Sequence, residues 1–529
     1  MAHFHYLCRH RRNAIKTTTL FLVLVTALTA TVELLRQTII EELTREAANG
    51  IYSDYIGALR NAFRSNETVI LVPFDSGFLD MTANFYISSI KKHGIREVLF
   101  IALDREACSG LAESLRPDHP NCVSYAAEPS SERAATWGTA EFRRKNMMKR
   151  QLILYALRAR YNVLMTDVDM VFVENPLPDL RDSCKAVNCD LAIQWDLKHS
   201  NFNGGFIYAR RTSVTRWIYE RQLEYDQNAD RVMNTEQQQL NVAIEEIRSE
   251  HNSSVTVIPM NTTKYPVGKP FFHKRRCPPS GRLDGVVALH NNYLRENNNK
   301  IFRLKECALW EYDGPDGYYT DANRRYLSYQ YNLRNGKKEY QGLLNAFLIG
   351  QVLNRTVILP NSFYREGDLQ TNLLLRVYQR LDMYFIQDFN RCTRGNYRES
   401  SFLNNSFVPA EVRNSKSDLY HIITGSKDDF WINGSEVRLL RARDIEKGPT
   451  VGEIQTWFQR VRQSVLQFDT LYGNFQQLPY ETYLGAQFME LVRPLDGPLK
   501  FHKYITEGKL QAKLRNGKKV YSAYVTKDT

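Results

Sequence analysis

The spacing of apolar positions changes repeatedly along the chain. "TVILVPF" from Thr68 is continuous, as a strand buried on both faces requires, and "FLDMTANFYISSIKKHG" behind it repeats at helical spacing up to Gly94. "EVLFIALD" is a second buried run that ends on Asp104. "FRRKNMMKRQLILYALRARY" reads as a helix and "NVLMTDVD" as a third strand. Strands alternating with helices predict an α/β fold, a mostly parallel sheet with helices on its faces. Sheets of this kind bind ligands at the carboxyl ends of their strands. Asp75, Asp104, Asp167 and Asp169 all stand at such ends. The alternation continues through "DLAIQWD", "FNGGFIYAR", "TSVTRWIYERQLEY", "TEQQQLNVAIEEI", "VTVIPM" and "GVVALHNNYL", so a first domain is expected over residues 66–310.

A second, smaller α/β module is expected over residues 311–529. "EYQGLLNAFLIGQVLNRTVILP" reads as helix then strand, and the pattern weakens after it. "LRNGKKEY" at Leu333–Tyr340 returns as "LRNGKKVY" at Leu514–Tyr521. Asn-Gly in this setting favours a tight hairpin turn, so two copies suggest reused turn chemistry rather than a solenoid.

The N-terminus changes the setting. Arg9, His10, Arg11, Arg12 and Lys16 precede "TTTLFLVLVTALTATVELL", which is uncharged from Thr17 to Val32. That is near the ~20 residues a membrane helix needs. Basic residues on its N-terminal side place residues 1–16 in the cytoplasm. The expectation is an uncleaved anchor at 17–35, a helical stem at 36–65 and a lumenal remainder, in a single-pass type II Golgi membrane protein. A cleaved signal peptide is the alternative, and it also sends the rest of the chain into the secretory pathway. Glycosylation sequons at Asn66, Asn252, Asn261, Asn354, Asn404 and Asn433 agree with that route.

Of eight cysteines, Cys8 falls on the cytoplasmic side. The others lack zinc-finger spacing, so disulfides are expected, with Cys108–Cys122, Cys184–Cys189 and Cys277–Cys307 as near neighbours. The odd cysteine left over, or the stem, offers a route to a dimer.

A hydrophobic fraction of 43% with 24% charged residues describes a globular chain, not a disordered one. The net charge of +12 favours anionic ligands without choosing among them. No nucleic-acid partner is expected.

Asp167-x-Asp169 admits several chemistries. A calcium loop needs glycine at its sixth position, and counting from Asp167 that position is Phe172. A phosphatase nucleophile at Asp167 would be followed by small turn residues, whereas "MVFV" continues as strand. Two carboxylates at a strand end also suit Mg²⁺ or Mn²⁺ on a nucleotide diphosphate. A solvated turn whose carboxylates cap backbone amides is the structural alternative.

The surrounding stretches resemble glycosyltransferase family seventy-seven, enzymes of GT-A fold that use nucleotide sugars. The resemblance is carried, in order over about residues 68–310, by "VILVPFDSGFLDMTANFYISSIKKHG", "FIALDREAC", "WGTAEFRRKNMMKRQLILYALRARYNVLMTDVDMVFVENPLPDL", "DLAIQWD", "NGGFIYARRT", "EQQQLN" and "ALHNNYL". It implies a retaining transfer of arabinose, galactose or xylose from a UDP-sugar donor to a glycan or glycoprotein acceptor. It implies Mn²⁺ (or Mg²⁺) on Asp167 and Asp169, completed by His290. Asp75 and Asp104 would contact the nucleoside, and Lys149 the diphosphate. The alternatives are a helix cap for Asp104 and a solvated basic face, shared with Arg143, Arg144, Lys145 and Arg150, for Lys149. Asp196 and Asn203 fall where such enzymes approach the sugar, with Gly204 and Gly205 allowing close backbone approach. Glu236 and Gln237 resemble the acid-Gln pair that faces the anomeric carbon, although the family usually has Asp at the first position.

The second module is similar to the C-terminal extension of plant and algal arabinosyltransferase-like members, and at its start to fucosyltransferase folds. It lacks an "HxRxxD"-like run, so it is expected to bind acceptor or serve as structure. Two rival functions stand beside the transferase: an inactive fold acting as lectin or scaffold, and a lumenal phosphatase.

Overall fold

The computed structural model describes residues 51–52, 55–63, 68–125, 139–196, 201–227, 236–250, 255–273, 283–292, 297–330, 336–360, 396–424 and 437–469, with 294, 471 and 475. The expected tail, anchor and repeat copy at 514–521 lie outside these, as do Cys277 and the sequons at Asn66, Asn252 and Asn433. Among the described residues no helix is long and apolar enough to cross a membrane.

The first domain is built on a sheet in the order β1 (Ile51–Tyr52), β4 (Cys122–Ser124), β3 (Val98–Ala102), β2 (Thr68–Phe74), β5 (Asn162–Thr166), β8 (Phe202–Ala209), β7 (Leu191–Trp195), β9 (Val257–Pro259). β2 is buried at every position, which is why its sequence is continuously apolar. β2 pairs in parallel with β3 and with β5, so Phe74, Ala102 and Thr166 end on one edge. β8 runs antiparallel to β5, and its first residues meet the carboxyl end of β5 at the same edge. Helix α4 (Ala140–Arg158) packs on one face. Helix α2 (Leu79–Phe85) and the π-helical turn Tyr86–Lys91 pack on the other.

The domain begins earlier than expected. Residues 55–63, assigned to the stem, hold helix α1 (Tyr55–Ala62), and Tyr55, Ala58, Leu59 and Phe63 are buried in the core. Tyr55 also donates to the Leu152 carbonyl at 2.9 Å. The disulfides Cys108–Cys122 and Cys184–Cys189 form as expected.

The second module holds an all-parallel sheet in the order β13 (Tyr397–Arg398), β12 (Thr356–Ile358), β11 (Tyr326–Tyr329), β16 (Val465–Phe468), β14 (Lys416–Ile423), β15 (Val437–Arg441). The expected hairpin at Asn335-Gly336 is replaced by the start of a helix, Gly336–Val352, because a parallel sheet needs a crossover after β11. One face of this sheet has its own core of Leu327, Leu344, Phe347, Val357, Phe458 and Phe468. On the other face, Tyr326, Ile358, Phe402 and Val465 join a cluster that also contains Trp310, Phe85 and Phe172. The two modules therefore share apolar core.

Candidate active site

The edge where β2, β3, β5 and β8 converge gathers most of the expected site. Asp167 follows β5, and its backbone N–H donates to the Gly205 carbonyl at 2.8 Å. Asp169 stands immediately before β6 (Met170–Phe172). β6 pairs antiparallel with β10 (Ala288–His290), which sets His290 opposite Met170 and beside Asp169. One ligand atom from each of Asp167, Asp169 and His290 lies within 4.8 Å of the others. Asp169 and His290 are buried and Asp167 is partly exposed.

The hydrogen bonds around His290 settle its tautomer. Gln194 donates through Nε2 to the carbonyls of Tyr265 and Pro266, both at 3.1 Å, so its Oε1 is the atom that faces His290 Nδ1 at 2.9 Å. Nδ1 must therefore carry the proton. Nε2 is then the ring atom directed at Asp169, 3.2 Å from its Oδ1. An acceptor on the other ring nitrogen, as Gln194 Oε1 is here, is the usual support of a metal-binding histidine, because it fixes the ring's orientation. The residues present fit a hard divalent ion held by two carboxylates and an imidazole.

Two lysines occupy the same carboxylates. Lys149 Nζ lies 2.6 Å from Asp167 Oδ1, and Lys300 Nζ lies 2.7 Å from Asp169 Oδ2. Burial tends to raise the Asp169 pKa, but Lys300 and then His290 outweigh it and hold the carboxyl well below the usual range. Burial lowers the Lys149 pKa less than Asp167 and Glu236 raise it, so Lys149 is a firm cation.

Helix α4 supplies a face of polar groups because positions four apart lie one above the other. Lys145 Nζ donates to Asp75 Oδ2 at 2.7 Å, and Asn146 donates to Glu236 at 2.7 Å. Lys145 and Arg150 are buried, so the solvated-face alternative fails for them. Asp75 is buried, and its Oδ1 has no hydrogen-bond partner among the described residues. Burial raises the Asp75 pKa, against the pull of Lys145. Asp104 is engaged within the fold. Its Oδ2 accepts from Ser76 N at 2.7 Å, and its Oδ1 accepts from Ser76 Oγ at 2.7 Å and Ala107 N at 3.0 Å. It thus caps the helix Ala107–Ser114 and pins the loop that carries Asp75.

The opposite wall comes from β8 and the start of the helix Glu236–Glu250. Gln237 Nε2 donates to Asp196 Oδ2 at 2.7 Å, leaving the side-chain amide oxygen Oε1 of Gln237 for another partner. Asn203 Oδ1 accepts from Gly205 N at 2.8 Å. Burial raises the Glu236 pKa, and Lys149 opposes it. The two glycines are needed for space. A Cβ on Gly205 would lie 2.5 Å from Asp167 Oδ2 and 2.6 Å from His290 Cε1, and one on Gly204 would lie 3.3 Å from Glu236 Cγ.

A family model, nucleotide-diphospho-sugar transferase, matches residues 93–304, a span holding every residue of this constellation except Asp75. Over that span the first domain is similar to the nucleotide-diphospho-sugar transferases. The chain is 27% identical over 266 residues to UDP-D-xylose:L-fucose alpha-1,3-D-xylosyltransferase 1 of Arabidopsis thaliana, covering 47% of this chain and 72% of the relative. Beta-arabinofuranosyltransferase RAY1 of the same plant is 24% identical over 273 residues, 47% of this chain and 48% of the relative. Mouse xyloside xylosyltransferase 1 is 12% identical over 43% of this chain and 98% of its own, with a TM-score of 0.28.

The site also contains residues whose part in it the sequence does not reveal directly: Lys145, Asn146, Gln194 and Lys300. Gln194 had a visible signal, since a glutamine inside the buried run "DLAIQW" demands polar partners. Lys300 had none, because its pairing depends on how the chain returns after β10.

Proposed function

We propose that the transferase moves a pentose, xylose or arabinofuranose, from a UDP-sugar to a glycan or glycoprotein acceptor, with retention and with a divalent metal. The observation that carries this reading is the Asp167–Asp169–His290 cluster, backed by the Gln194 hydrogen bond that orients the His290 ring with Nε2 toward Asp169. The pentose follows from the activities named for the xylosyl and arabinofuranosyl relatives; galactose remains the third donor to test.

Mn²⁺ or Mg²⁺ held by Asp167, Asp169 and His290 would supply Lewis-acid stabilisation of the charge developing on the departing diphosphate. The chain's own side chains supply binding and orientation. Lys149 and Lys300, released from their carboxylates, would turn to the donor phosphates and add fixed positive charge where negative charge grows. The unpartnered Asp75 Oδ1 is an acceptor for a nucleoside donor group. Asp196 holds Gln237 by its amide nitrogen, so the amide oxygen is the group that steadies a cationic anomeric carbon. Retention by front-face attack needs no separate base, since the leaving phosphate can take the acceptor's proton. Glu236, tied to Asn146 and set behind Gly204, positions that wall.

We further infer a lumenal Golgi location behind the 17–35 anchor. The exposed sequon residues Asn261, Asn354 and Asn404 and the two disulfides support that compartment.

The test is UDP release from UDP-xylose, UDP-arabinofuranose and UDP-galactose in Mn²⁺, with wild type and Asp169→Asn. One donor should give turnover that EDTA and the substitution abolish, and NMR of the released sugar should show first the anomer that the donor itself carries. No release from any donor, or a metal-independent phosphatase activity on a generic phosphoester, would overturn the reading.

A further inference from the structure

A cleft of about 650 Å³ is lined by residues of both modules, none of them from the Asp167–Asp169–His290 cluster. Ile87 and Lys92, from the π-helical turn and its exit, Trp310 and Glu311, and the loop Asn404–Phe407 line it. The size falls within the ~300–1,000 Å³ of ligand clefts. The Trp310–Glu311 backbone is held by two amide side chains. Asn84 accepts from Glu311 N at 2.6 Å, and Asn405 donates to the Trp310 carbonyl at 3.3 Å. Asn405 also accepts from Phe407 N at 2.9 Å, which sets the loop that carries the Phe407 ring.

The lining chooses among ligand classes. Phe407 is 39% exposed, one of few large apolar side chains so exposed among the described residues. Beside it stand two amides, the Ser406 hydroxyl and the Lys92–Glu311 ion pair. The pair is electrically neutral, so the cleft has no net attraction for a phosphate. Its polar walls would cost an apolar ligand the hydration of amides and charges. A sugar satisfies both halves. Its hydroxyls pair with amide and carboxylate groups, and its C–H face lies against the electron-rich face of an aromatic ring.

We propose that this cleft is a carbohydrate-binding subsite, which holds a distal part of the acceptor oligosaccharide while its end is glycosylated at the metal edge. The acceptor role rests on the transferase reading; the affinity for sugar does not. The rim also carries the sequon Asn404-Asn405-Ser406, with Asn404 and Ser406 exposed, so a glycan attached to Asn404 would compete for the same space.

The full chain, its Phe407→Ala and Asn404→Gln variants, and Asp169→Asn would be applied to a printed array of oligosaccharides containing fucose, xylose, arabinose and N-acetylglucosamine. UDP release would be measured on the same samples. Wild type or Asn404→Gln should bind a glycan group that Phe407→Ala binds at least about tenfold more weakly, with donor hydrolysis unchanged by Phe407→Ala. Binding only after Asn404→Gln would support the cleft and show that the attached glycan fills it. Binding retained in Asp169→Asn, whose hydrolysis is lost, separates the subsite from the active site. Equal binding by Phe407→Ala, or no glycan bound by wild type and Asn404→Gln alike, would overturn the proposal.

Discussion

Gly205→Ala is the sharpest test of the active-site geometry. Its Cβ would meet Asp167 Oδ2 at 2.5 Å and His290 Cε1 at 2.6 Å. Ordinary contacts of this kind need at least about 3.4 Å, so the two ligands must part by roughly 1 Å. Metal sites hold their ligands to within about 0.2 Å, and a displacement of ~1 Å at a reacting centre costs on the order of a hundredfold in rate. That factor equals about 2.7 kcal/mol of lost transition-state stabilisation. Gly204→Ala is the graded control, because its Cβ meets Glu236 Cγ at 3.3 Å and asks only for a shift of a few tenths of an ångström. The assay is UDP release over a Mn²⁺ titration, alongside thermal unfolding. Gly205→Ala should need at least tenfold more Mn²⁺ and lose about a hundredfold in kcat/KM while remaining folded. Gly204→Ala should lose less than tenfold. Wild-type Mn²⁺ dependence in Gly205→Ala would refute the placement of the cluster.

Three further outcomes follow from the hydrogen bonds and charges. Gln194→Met should raise the Mn²⁺ midpoint about 10–100-fold, since His290 loses the acceptor that sets its tautomer. It should also cost ~1–3 kcal/mol of stability, because the Tyr265 and Pro266 carbonyls lose their donor; unfolding by urea measures it. Lys300→Ala should leave Mn²⁺ binding without donor as tight or tighter, since Asp169 loses a competing cation, yet raise the KM for the UDP-sugar severalfold. Lys305 sits 3.1 Å over the Tyr318 ring, and burial, against the pull of Glu399, lowers its pKa to about 8. Below that pH both folded and unfolded states hold the proton, whereas above it only the unfolded state does, so stability rises with pH. Between pH 7.5 and 9.5 wild type should gain about 2 kcal/mol relative to Lys305→Met in urea unfolding; parallel curves would show that the amine is not desolvated.

The apolar pattern by itself determined the strand–helix alternation of the first domain, because strands buried on both faces must be continuously apolar and the α4 face must repeat with the helical turn. It also placed Asp75, Asp104, Asp167 and Asp169 at strand ends, since a parallel sheet lines up its carboxyl edges. His290 was legible only through the family resemblance; the β6–β10 pairing is what sets it beside Asp169. Tertiary structure alone decided the division of labour among the acids. Asp104 is consumed by Ser76 and Ala107, while Asp75 keeps a buried oxygen with no hydrogen-bond partner among the described residues. Gln194, Lys145 and Lys300 could not be ranked from the chain, because each acts through a group brought to it by a different crossover. The same holds for residues 55–63, whose helical period suited a stem and whose burial against α4 makes them core. Local period reports which face of an element is apolar. Only the packed sheet decides what that face meets, and hence which charges end up sharing a site.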